Sequence, residues 1–428
     1  MKEIEGNAVT FISHLEVRVS RVQKKIWRER KKEISMTQFA LNVYQTTGLA
    51  MLLFALGTVL VNKIAFLKKC CIPAPVVGGL LFAILNCVLY MGGIVEITFD
   101  TTLQAIFMVW FFTSVGYNAS FKLLAKGAVA VCIFLALAAG MQVIQNAVGV
   151  GLAGIFGLDP RLGLCMGSIP LVGGHGTAAS WGPLLEDLGC AGANVVGVAA
   201  ATYGLVAGSL MGGPIAKSLI SKYNLKSTAK AEVVDTEAGK VEKDVFAKQI
   251  MTAFVFLIAT TGIGVYISNF LGQFITLPAY IGPMIVAVII RNACDTMNIE
   301  LPLDAIDTAA TVCLNIFLSL ALMTLKLWQL IDLALPMIAI LALETVMMFA
   351  LARFVVFKVM GSDYDAAVLV AGFCGFGMGA TPNAMANMGA ITEKFGPSPK
   401  AYLVVPIVGG MFVDFTNTFI LTMFLNFI

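Results

Sequence analysis

The sequence predicts an all-α membrane protein of two inverted five-helix repeats, each carrying a re-entrant, broken segment. Three observations predict it. Hydrophobic residues make up 59% of the chain, charged residues only 12%, and the mean hydropathy is +0.89; a soluble domain carries about 25% charged residues. Apolar runs close to the length that crosses a bilayer recur in two sets of five. Two glycine-rich polar stretches, Leu171–Thr177 and Gly375–Pro382, interrupt the two halves at matching places, and Thr381 follows Thr177 by 204 residues. Irregular backbone is costly in lipid unless it is buried in protein or lines a cavity. Paired breaks in related halves point to the substrate site of a secondary transporter.

The spans follow in order. The first set lies near Phe39–Asn62, Pro73–Gly92, Leu103–Ala119, Ala128–Phe156 and Ala193–Ala216. Residues 36–216 are therefore the first membrane repeat. The Lys-rich stretch 217–248 has little bulky apolar matter and reads as a cytoplasmic, solvated connector. The second set lies near Ile250–Leu271, Pro278–Arg291, Thr308–Leu325, Leu333–Phe357 and Ala401–Ile428, making 249–428 the second repeat. Asp100-Thr101 and Asp307-Thr308 are each expected just ahead of a span, and Asp159 and Asp363 read as turn or cap residues.

Five spans is an odd number, so the second copy must sit upside down. Charge agrees. With residue 36 outside, seventeen of the 28 Lys and Arg fall on the inner side, and the outer loops hold only Arg161 and Lys326. The first broken segment then enters from outside and the second from inside. Residues 1–35 hold the remaining basic residues and a 3/4-spaced apolar stripe from Ile12 to Ile26. They read as an amphipathic or non-native extension, without a cleavable signal peptide.

The cysteines are scattered, with no C-x-x-C, so neither a disulfide framework nor a transition-metal site is expected. There is no Ser/His pair, H-E-x-x-H or facing aspartate pair, so no enzyme is expected. Glycines at 173, 174, 176, 377 and 379 allow close backbone approach. A helix beginning after such a break offers free N–H groups to a carboxylate. Pro382 suits a first helical turn, placing Thr381 near an N-cap, Asn383 just inside it, and Thr177 as its repeat mate. Small-residue helix packing is the competing account of an isolated Gly-x-Gly.

His175 is the one histidine within the membrane portion. It reads as a partner for a substrate carboxylate or as a brace for its loop. Asp414 is an intramembrane carboxylate, a partner for an ammonium or a sodium ion. Asn417 shares its helical face. Gln142, Gln145 and Asn146 share a face of the fourth span, and Asn315 lies on the eighth. They line the cavity or bond between helices. Gln145, Asn146, Asn315 and Asp414 are the candidate cation ligands. Glu344 reads as structural or protonated.

These residues resemble the bacterial sodium/glutamate symporter family. The likeness runs from about Met36 to the C-terminus. Its strongest marks are Gly173–Thr177, Tyr364–Leu369 and Cys374–Pro382, followed by Ile391–Ser398 and Leu403–Pro406. The sequence departs from the family pattern at Phe373 and Asn383, where His and Thr are frequent. The resemblance implies Na+-coupled uptake of L-glutamate by a homodimeric, multi-pass carrier of the bacterial inner membrane. It implies alternating access of elevator type, a moving core on a fixed dimer scaffold. Na+ is then co-transported cargo, and L-glutamate, sodium ions, the lipid bilayer and a second copy of the chain are the partners, with no nucleic acid. The alternatives are a Na+-coupled carrier of another small anion, such as a dicarboxylate, and a passive channel.

Overall fold

The computed structural model describes residues 37–70, 72–122, 128–227 and 243–428. The extension 1–35 and the middle of the 217–248 connector lie outside the described residues. Two short parallel strands, β1 (Thr37–Leu41) and β2 (Val95–Phe99), pair Phe39 with Ile97. The chain is therefore not purely α, and the first span begins at Val43, not Phe39. Helix α1 (Val43–Lys63) opens with a capping box: Asn42 accepts from Tyr44 and Gln45 backbone N–H groups, and Gln45 reaches back to Asn42. Next come α2 (Ala74–Met91), α3 (Thr102–Asn118) and α4 (Ala128–Ile155).

The first broken segment is α5 (Pro160–Leu164), α6 (Ser168–Leu171) and α7 (Gly174–Asp187). The long α8 (Ala193–Tyr223) completes the first half. The second half comprises α9 (Lys243–Leu271), α10 (Ile281–Met297), α11 (Leu303–Met323), α12 (Ala334–Val359), the broken pair α13 (Tyr364–Gly377) and α14 (Thr381–Phe395), and α15 (Pro399–Phe427). Eight helices among the described residues are long and apolar enough to cross a membrane. The other two expected spans, α3 and α10, have 17 residues each, the lower limit for a crossing of about 17–25. Asp307 lies inside α11 and not ahead of it; its carboxylate accepts from Asn118 there.

The helices pack as two bundles that cut across the chain order. The first three helices of each half (α1–α3, α9–α11) pack together; α4–α8 and α12–α15 form the other bundle. Close glycine crossings hold the first bundle. A methyl on Gly78 would fall 1.9 Å from the Leu53 carbonyl oxygen, and one on Gly282 would fall 2.1 Å from that of Gly264. In the second bundle, Gly204, Gly208 and Gly212 form one face of α8, set against carbonyl oxygens of Met378, Cys374 and Ala371. The eight described cysteines are free thiols.

Candidate functional site

Each broken segment is a hairpin with a tied base. Asp159 caps α5 by accepting from Arg161 N at 2.9 Å. The Arg161 guanidinium pairs with Asp159 at 2.5 Å and donates to Leu188 O at 2.8 Å, just past α7. Its hydrogen bonds hold the Asp159 carboxyl below the usual range. In the second hairpin the Tyr364 hydroxyl donates to Gly396 O, joining the start of α13 to the end of α14. Asp363 caps α13 through Ala366 N at 2.7 Å. Both aspartates are caps, as their turn chemistry predicts.

The tips meet. Gly174 adopts φ +59°, and a methyl there would lie 3.3 Å from Gly379 O. Gly204 of α8 lies under both tips: a methyl on it would meet Leu171 at 3.1 Å and Met378 O at 2.4 Å. Helices α7 and α14 begin at these tips. The register between the tips is not the gap-free one: Thr381 is the first residue of α14, but Thr177 is the fourth of α7, folded back against Gly173. Thr381 stands next to the N-cap, as expected; the cap itself is Ala380, without a side-chain bond. The Thr381 hydroxyl instead donates to Gly409 O at 2.6 Å. That carbonyl sits in a π-helical turn, Val408–Phe412; such turns recur at functional sites.

Buried carboxamides surround the tips. Gln145 Nε2 donates to Gly377 O at 3.0 Å. Asn146 Oδ1 accepts from both the amide and hydroxyl of Ser168 at 3.0 Å. Asn417 Nδ2 donates to Ser168 O at 3.1 Å. Backbone partners fix the orientation of all three amides, leaving Gln145 Oε1, Asn417 Oδ1 and Asn146 Nδ2 buried without a partner. Asn383 donates to Leu205 O and Ser209 Oγ at 2.9 Å, and its Oδ1 is also orphaned. Gln142 joins α4 to α15 through Val413 O at 2.9 Å and Thr416 Oγ1 at 3.1 Å.

Asp414 is half-buried one turn before Thr418, whose hydroxyl donates to the Asp414 backbone carbonyl. Its carboxylate takes part in neither of the two ion pairs among the described residues. His175 is 4% exposed and braced, its Nε2 lying 2.9 Å from Thr202 Oγ1 on α8. That hydroxyl already donates to Val198 O, so the imidazole donates to it. Gly176 faces the other bundle; a methyl there would lie 3.7 Å from Leu314. Asn315 stands apart from the carboxamide cluster: it belongs to α11 in the first bundle, and no hydrogen bond joins it to Gln145 or Asn146. Glu344 is fully buried with both oxygens unpaired.

The sequence reading did not single out Ser168, the residue at which Asn146 and Asn417 converge. The available signal was Gly167-Ser168 two residues ahead of Pro170, a break one turn before the glycine cluster. Thr202 and Gly409 were also missed. Each acts through a contact made by distant helices, which local sequence does not display.

Eight apolar spans and two hairpins that meet tip to tip among buried carboxamides define a multi-pass membrane protein with the build of a transporter. The sodium/glutamate symporter family model matches residues 39–397. The sodium/glutamate symporter of Escherichia coli (strain K12) is 42% identical over 396 residues, 90% of this chain and 98% of that protein. The Shigella flexneri symporter matches to the same extent. That of Haemophilus influenzae is 38% identical, over 90% of this chain and 97% of its own length. The chain belongs to the sodium/glutamate symporter family. Among solved structures, a sodium proton antiporter from Methanocaldococcus jannaschii covers 89% of the chain and is itself 95% covered, at 13% identity and TM-score 0.42.

Proposed function

We propose that this protein takes up L-glutamate with Na+ by alternating access, as a homodimer in the bacterial inner membrane. The observation that carries the site is the meeting of two hairpin tips among orphaned carboxamides, one of them Asn417, three residues along α15 from Asp414. The N-termini of α7 and α14 supply N–H groups for the substrate carboxylates. Asp414 takes the ammonium. Gln145 Oε1 and Asn417 Oδ1, with nearby carbonyls, offer the hard oxygen ligands that Na+ prefers. Gly173, Gly174, Gly176, Gly377 and Gly379 let the backbone approach the cargo; His175, Thr177, Thr381 and Asn383 hold the tips in place.

The halves are read as inverted repeats and the hairpins as re-entrant from opposite faces. Support comes from the tied bases, which return each hairpin to its starting side, and from the matched glycine crossings in α1–α2 and α9–α10. The bundle carrying both hairpins is the moving core in an elevator cycle, and the other bundle is the scaffold. The inward Na+ gradient drives accumulation, helped by about 2.3 kcal/mol per charge per 100 mV of membrane potential.

The deciding experiment is labelled glutamate uptake into proteoliposomes with an imposed Na+ gradient. Accumulation above equilibrium is expected. Uptake that is unchanged when K+ replaces external Na+ defeats symport, and uptake that stops at equilibrium whatever the gradient indicates a channel.

A further inference from the structure

A second polar cleft lies away from the hairpin tips, at the end of the molecule that holds β2 and the turn after α11. It has a volume of about 370 Å³, within the range of small-ligand pockets, about 300–1,000 Å³. One wall comes from the scaffold bundle: Asn86 on α2, Glu96 on β2 and Gln104 on α3. Glu186 on α7 and Asn194 on α8 form the other wall, and Lys326 stands at the rim.

Three of these residues are carboxamides with an unpaired oxygen. Asn86 is 3% exposed, and its Oδ1 has no partner; the same is true of Gln104 Oε1 and Asn194 Oδ1. Buried polar groups are normally paired, so unpaired amides lining one cleft, Asn86 the most buried, point to a ligand that pairs them. Turning an amide about its terminal bond exchanges O and N within the same volume, which lets each present its oxygen to the cleft. Glu96 and Glu186 are half-buried, whereas Lys326 is exposed and offsets part of the Glu186 charge, which leaves two carboxylates against one ammonium. Glu186 keeps one oxygen on Asn194 N at 3.1 Å. The balance is oxygen-rich and anionic, the environment of a hard monovalent cation.

We propose that this cleft is a sodium-holding site, loaded before the ion reaches the hairpin tips. It rests on the symport reading above. Because its ligands come from both bundles, the site is complete only while the bundles keep this relation. Movement of the core pulls Glu186 and Asn194 away from Asn86 and Gln104 and releases the ion. The site thereby ties Na+ capture to one end of the transport cycle.

The test is Na+ dependence of glutamate uptake by the full chain in proteoliposomes. Asn86→Ala with Gln104→Ala is expected to raise the external Na+ half-saturation about thirty-fold, the effect of losing two contacts of about 1 kcal/mol each. Glutamate half-saturation at saturating Na+ stays unchanged. The isosteric Gln104→Glu adds an anionic oxygen and lowers the Na+ half-saturation; it reads out the site even if the double variant fails to fold. An unchanged Na+ half-saturation in Gln104→Glu overturns the proposal. So does a shift in glutamate half-saturation alone, which assigns the cleft to the amino acid. Absence of Na+-dependent uptake by the unsubstituted protein refutes the symport reading; normal wild-type behaviour with unresponsive variants refutes only the cleft.

Discussion

At the scale of single residues, the site is made of groups that lack partners. Asp414→Asn keeps the side-chain volume and removes the charge, so sodium-dependent uptake is expected to be abolished or sharply weakened. Near-normal transport kinetics in that variant would remove Asp414 from the site. Gly174→Ala places a Cβ at φ +59°, a conformation that costs a non-glycine residue about 1–2 kcal/mol. Its methyl also presses on Gly379 O, so lower uptake is expected with a lower thermal midpoint of the purified protein. Gln145, Asn146, Asn417 and Asp414 were legible in the sequence because polar groups in greasy spans are expensive and conspicuous. Ser168 was not, because a serine beside a break looks like ordinary loop chemistry until Asn146 and Asn417 are seen to converge on it.

Among the elements, the second hairpin is tied to the last span at its tip by the Thr381 hydroxyl and near its base by the Thr392–Tyr402 hydroxyl pair. Thr381→Val removes the donor to Gly409 O at nearly constant volume. The expected loss is about 1 kcal/mol of stability, read as a lower thermal midpoint. Helix existence was readable from apolar length almost throughout. Helix ends were less so: β1 took Phe39–Leu41 out of the first span by pairing with β2, a contact 58 residues away in register. Asp307 was misplaced for a similar reason. Its Asp-Thr pair resembles a helix start, but Leu303 already begins the helix.

The whole molecule is organised by bundle and not by half. The likeness between the two halves was visible along the chain. Their interleaving was not, because it depends on which apolar faces find each other after synthesis. The arrangement places Gly176 of the hairpin-bearing bundle opposite Leu314 of the other bundle. In a background without native cysteines, oxidation of Gly176→Cys with Leu314→Cys is expected to form a cross-link that stops the uptake the reduced double variant shows, with reduction restoring that level. Undiminished uptake by the cross-linked protein would defeat relative movement of the bundles.

The glycine face of α8 has a mutational consequence. Its three positions bring bare main chain against the second hairpin, whose carbonyl oxygens and Asn387 amide fill the space a side chain on α8 would need. Even a single added carbon at 204 or 212 forces the rail and its rider apart. Gly213, one step round the same helix, has nothing within 4 Å of an added methyl. A saturation screen for glutamate-dependent growth should find 204 and 212 intolerant of every other amino acid and 208 tolerant of alanine at most, with alanine and serine accepted freely at 213.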